Sequence, residues 1–101
     1  MTGLRDVKSE TGGNRINRIR EMEVRLNRIE AWLDGHSTQD VEEDIRLLSE
    51  YYQGPLWRSD FEADEAGELP ADLLRGVLSE DEIYNALTEY EKRLDKSLEN
   101  K

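Results

Sequence analysis

Apolar residues recur at steps of three and four from Ile16 through Ile19, Met22, Leu26, Ile29 and Leu33, which is the spacing that lines one face of a helix. Asn14 ahead of this run is a candidate N-cap, and Gly35 after it is placed to end the helix in a left-handed turn. A second stripe, Val41, Ile45, Leu48 and Tyr52, predicts a helix from about Asp40 to Gln53. Asp40 and Glu43 form a capping box at its start, and Gly54-Pro55 stop it. The loop between the two is about five residues long, so they pack as antiparallel neighbours.

Leu56, Trp57 and Phe61 predict a short helical turn capped at Gly67, and Leu69-Pro70 opens another, containing Leu73 and Leu74, that closes at Gly76. Ser79 with Glu82 reads as a second capping box. It introduces a last long helix with Ile83, Leu87, Tyr90 and Leu94 on one face, running to about residue 98. No stretch alternates with a period of two. The predicted fold is therefore all-α, a single domain over residues 14–98 with three main amphipathic helices and two short turns in the connector. Residues 1–13, rich in Gly, Ser and Thr without periodicity, read as a flexible arm.

Charge changes the picture by region. The 101 residues carry 14 basic and 24 acidic side chains, but residues 40–90 hold 15 of the acids and only 3 of the bases, a net of -12. A surface of that sign repels polyphosphate and favours a basic protein surface, or the arginines of the first helix, as its complement. Arg18, Arg25 and Arg28 flank the apolar stripe of that helix and are expected to fasten the acidic connector to it. No apolar run is long enough for a membrane span, and residues 1–13 lack the core of a signal peptide, so a cytoplasmic chain is expected. The absence of cysteine removes thiolate metal sites and cysteine nucleophiles.

From Tyr51 onward the sequence reads YYQGPLW, then DFEADEAGELP, then ADLLRGVLSEDEIYNAL. These blocks, with the preceding helix from Ile19 to Glu30, resemble a bacterial family known as domain of unknown function 4298. The resemblance spans about residues 15–97 and implies a small helical protein, without an activity. Within it, RGVLSED has a structural reading: Arg75 precedes Gly76 as a left-handed cap, Val77 and Leu78 supply an apolar contact, and Ser79 to Glu82 start the next helix.

The acids Asp60, Glu62, Asp64, Glu65 and Glu68 have the close spacing of a candidate calcium loop, because hard cations take several closely spaced oxygens. Counted from Asp60, the sixth position is Glu65 where the loop needs glycine, and the twelfth is Ala71 where a glutamate must close the shell, so no metal is assigned. The alternative reading is a solvated helix face. His36 is the only histidine and falls in a predicted loop, and there is no glycine-rich phosphate loop, so neither catalytic residues nor a cofactor are assigned. Trp57, Phe61, Tyr51 and Tyr52 are expected to fill the core, with Tyr51 the one displaced from its helix stripe and so available to a partner.

Two functions fit these features. One is a helical interaction module or adaptor, with a protein partner of basic surface or a second copy of itself. Its candidate surface is Tyr51, Trp57, Asp60, Glu62, Asp64, Glu65 and Glu68, while Gly67, Pro70, Arg75, Gly76, Ser79 and Glu82 shape the fold. The other is an acidic nucleic-acid mimic that occupies the cleft of a nuclease. Direct binding to nucleic acid or to a membrane is not expected.

Overall fold

The computed structural model describes residues 14–99, and the side chains of 14–95. The arm expected over 1–13 lies outside the described residues. Within them the chain forms α1 (Arg15–Leu33), α2 (Glu42–Gln53), α3 (Pro55–Glu65), a 3-10 turn (Gly76–Leu78) and α4 (Glu80–Glu99), with no strand among the described residues. The fold is all-helical, as the periodicity indicates.

The long helices begin and end close to where the apolar stripes place them. Ile19, Leu26 and Ile29 of α1 are fully buried, with Ile16, Met22 and Leu33 packed half-buried beside them. They meet Val41, Leu48 and Tyr51 at α2 and Ile83 and Ala86 of α4. Gly35 has φ 80, and its N–H donates to the Trp32 carbonyl while that of His36 reaches Ala31. This is the paired-bond C-cap in which a left-handed residue lets the chain turn back on the helix end. The same pattern ends α3: Gly67 has φ 74, its N–H donates to Asp64, and Glu68 N–H donates to Ala63.

The connector differs from its expected form. The segment after Gly54 is an 11-residue helix rather than a short turn, because Pro55 at its first position has the right φ and lacks only an N–H that would be unpaired anyway. The turn expected from Leu69 to Gly76 is not a helix; residues 66–75 form bends that lead into the 3-10 turn. Gly76 is not left-handed, since only Gly35 and Gly67 have positive φ among the described residues. It starts the 3-10 turn, and a Cβ there would lie 3.2 Å from both Glu23 Oε2 and Glu82 Oε2. Crowding by two carboxylates, not handedness, explains the glycine.

The capping box at Ser79 is half realised, and the one expected at Asp40 does not form, because Val41 is the N-cap of α2. Ser79 Oγ accepts from the Glu82 N–H at 3.4 Å, while the Glu82 carboxylate lies beside Gly76. Asp40 Oδ1 accepts from the Glu42 N–H at 2.9 Å, and Glu43 engages Arg46. Asn14 sits at the start of α1 without a side-chain capping bond.

Candidate functional site

Two internal carboxylates organise the molecule. Asp60 on α3 has no exposed surface, and its Oδ1 accepts from Arg15 Nε at 3.0 Å and from an Arg18 terminal nitrogen at 2.6 Å. Its Oδ2 accepts from Arg18 Nε at 2.9 Å and from the Tyr51 hydroxyl at 2.7 Å. Asp44 on α2 is held in the same way, by Arg28 through Nε at 2.9 Å and a terminal nitrogen at 2.7 Å, and by Arg25 at 2.8 Å. Two arginines three residues apart on α1 thus grip one aspartate on each neighbouring helix, in the forked geometry that suits guanidinium and carboxylate. The Arg28 hydrogen bond, working against burial, holds the Asp44 carboxyl below the usual carboxylate range, with further help from Arg25.

The expected arginine fastening is present, but one of its anchors is in α2 rather than the connector, and Arg15 joins the three arginines read from the sequence. Asp60 is correspondingly not part of a solvated face. Tyr51 is buried too, and its phenol pKa is pushed upward by burial and by donating to Asp60. Trp57 is core: its ring stacks on Phe61 at 5.2 Å and meets Tyr52 edge-on at 5.1 Å, and its Nε1–H donates to the Val77 carbonyl at 3.0 Å. Tyr51, Trp57 and Asp60 therefore leave the candidate surface for the interior.

Asp64 pairs with Arg75, which also donates to the Leu73 and Pro70 carbonyls and so closes the 66–75 segment onto α3. Glu62, Glu65 and Glu68 are exposed, Glu68 lying 4.0 Å from Arg15. The structure scatters the predicted acidic surface: part of it becomes scaffold and three glutamates remain outside. Among the described residues no group of three or more His, Asp or Glu is arranged to hold a metal ion.

A second acidic cluster escaped the sequence. Glu23 on α1 accepts from the Val77 N–H at 2.8 Å, and Glu82 on α4 approaches both Glu30 and Gly76. Burial, then the hydrogen bond to Glu82, then the negative charges of Glu82, Glu23 and Asp34, raise the Glu30 pKa to about 7.

A concavity lies between α2 and α4. Its volume is about 590 Å³, its floor is Ile45, Tyr90 and Leu94, and its rim carries Asp40, Glu42, Glu43 and Glu91 with Arg46 as the one base. A smaller recess between α1 and the 66–75 segment has the exposed Val24 and Leu74 beside Leu73, with charges of both signs from Arg20, Glu23 and Asp72.

A family model described as domain of unknown function (DUF4298) matches residues 17–100, which takes in all four helices. The chain belongs to that family. Comparison with curated proteins and with solved structures finds no match. Within the matched span Tyr51, Trp57, Asp60, Arg75 and Val77 bond to one another or to their neighbours, while Glu62, Glu65, Glu68 and Leu74 are exposed. No helix among the described residues is long and apolar enough to cross a membrane.

Proposed function

We propose that this member of the family is a non-catalytic interaction module that takes a protein partner through an acidic outer surface. The observation that carries the reading is the inward turn of the α1 arginines. Four of the five arginines of α1, Arg15, Arg18, Arg25 and Arg28, bond to the buried Asp60 and Asp44, while Asp40, Glu42, Glu43, Glu62, Glu65 and Glu91 stay exposed. Asp60 accepts four hydrogen bonds and Asp44 three, each from fixed donors on neighbouring helices, which suits a scaffold and not a proton-transferring pair. A negative surface on a fixed scaffold speeds encounter with a positive one and makes it salt-sensitive.

The test is capture from the native host, followed by reconstitution with the purified partner at increasing ionic strength. The expected partner is a protein with a basic face whose affinity falls as salt rises. Salt-independent binding to a neutral partner would sink the reading. Displacement of the partner by double-stranded DNA would instead mark the chain as a nucleic-acid mimic.

A further inference from the structure

We infer that the groove between α2 and α4 is the docking site for an amphipathic helix of the partner, with apolar residues on one face and lysine or arginine along its flanks. This rests on the interaction-module reading and assigns it a place. The apolar stripe of α4 outruns the domain's own core: Ile83 is fully buried, Tyr90 half-buried, and Leu94 is 43% exposed. Opposite stands Ile45 of α2, half-buried, and nothing among the described residues fills the space between.

The walls are fixed in advance. Trp32 of α1 packs against Tyr90 with ring centres 5.2 Å apart, and Arg93 donates to the Leu33 carbonyl at 3.0 Å, tying α4 beyond Tyr90 to the end of α1. A preformed cleft spares a ligand the cost of ordering its site.

Charge names the occupant. Asp40, Glu42, Glu43 and Glu91 surround the cleft, and Arg46 is already shared between Glu43 at 2.6 Å and Glu50 at 3.1 Å. The negative charge of Glu42 and Asp40 also reaches Tyr90, where it adds to burial in raising the phenol pKa. An apolar floor inside a carboxylate rim complements a helix whose anchors recur at three and four residues and whose flanks are cationic. A polyanion would be repelled. The Val24–Leu74 recess, with mixed charge, specifies no such partner.

The test titrates the full chain with a synthetic peptide of leucine and lysine whose leucines share one helical face, and with a scrambled peptide of the same composition. Calorimetry at two salt concentrations reads affinity, and the intrinsic fluorescence, to which Trp32 beside Tyr90 contributes together with Trp57, follows binding. The amphipathic peptide is expected to bind at least about tenfold more tightly than the scrambled one, and Leu94→Ser or Glu91→Lys to weaken it by about tenfold, as loss of a central contact does. Both positions are exposed, so each variant should keep the native melting temperature, and Leu74→Ser, in the recess beside α1, should keep native affinity. Equal affinity for the two peptides, or no binding of either, overturns the groove assignment. If a host partner binds in a salt-sensitive way yet ignores Leu94→Ser and Glu91→Lys, the module reading stands and the groove is the wrong face. If no basic partner exists, the broader reading falls whatever the peptide does.

Discussion

The Tyr51 hydroxyl donates to Asp60 Oδ2 at 2.7 Å, joining the last turn of α2 to the middle of α3 inside the protein. Arg15 and Arg18 supply the remaining donors, so the carboxylate is buried with four hydrogen bonds and two positive charges. Such a buried carboxylate is not a large net source of stability against an apolar equivalent, but stripping it away removes the acceptor that two guanidinium groups and a phenol share. Asp60→Ala should therefore cost about 3–5 kcal/mol, enough to unfold much of a small domain. Tyr51→Phe, which removes one bond to a charged acceptor, should cost about 1.5–3 kcal/mol. Urea denaturation checks both, and a loss below about 1 kcal/mol for Asp60→Ala would show that the clamp is not what joins α1 to α3.

The glycines divide by cause. Gly35 and Gly67 have positive φ with open space where a Cβ would stand, so Ala at either pays only for handedness, about 1 kcal/mol or roughly 4–8 °C in melting temperature. Gly76 has ordinary φ, and its obstacles are the ends of two flexible glutamates. Gly76→Ala should cost less than Gly67→Ala. Thermal melts of the three variants decide this, and the reverse order would restore a backbone explanation for Gly76.

The helices were legible because their apolar stripes are regular, and the stops at Gly35 and Gly67 because glycine alone enters the left-handed region easily. The clamps were only partly legible. Asp60 sits in DFEADE, where the acids Glu62, Asp64 and Glu65 imitate a wet helix face. Yet it lies three residues from Trp57 and three from Ala63, both buried, which places it on the inner side. Asp44 stands likewise between Val41 and Leu48. An acid on an apolar stripe, matched by arginines at i and i+3 on another helix, is the signal that finds both. The groove was hidden for another reason: whether Leu94 is covered depends on how far α2 extends beside α4, and spacing within one helix does not encode that.

Trp57 and Glu23 meet at the backbone of a single residue, Val77. The indole donates to the Val77 carbonyl at 3.0 Å and the glutamate accepts from the Val77 N–H at 2.8 Å, so α3 and α1 hold the 3-10 turn between them. Val77 is fully buried, and either group left unpaired there incurs a desolvation cost of about 1–3 kcal/mol. Trp57→Phe and Glu23→Ala should each lose that much, whereas Glu23→Gln, which keeps an acceptor, should lose far less. Amide exchange at Leu78 and Ser79, whose N–H groups close the turn, should quicken in the first two variants. Unchanged exchange would mean that the turn holds without them.

Two carboxyls give stability opposite slopes with pH. Glu30, raised from 4.5 to about 7 by burial and by Glu82, Glu23 and Asp34, binds its proton more tightly in the folded state. Its stabilising contribution is present below 4.5 and is lost as pH rises through about 7. Asp44, lowered from 3.8 by Arg28, works the other way: its contribution is present above 3.8 and is lost as pH falls below that value. The stability maximum should therefore lie at about pH 4, between the 3.8 below which the Asp44 contribution fades and the 4.5 above which that of Glu30 does. Because solvent screens a partly exposed glutamate, the loss from there to pH 8 should be about 1 kcal/mol, or roughly 4–8 °C in melting temperature. Glu30→Gln removes the charge that the fold resists at alkaline pH, so it should raise the melting temperature at pH 8 and flatten the slope above pH 5. A melting temperature that climbs steadily from pH 5 to 8, or a slope that survives Glu30→Gln, would remove Glu30 as its source.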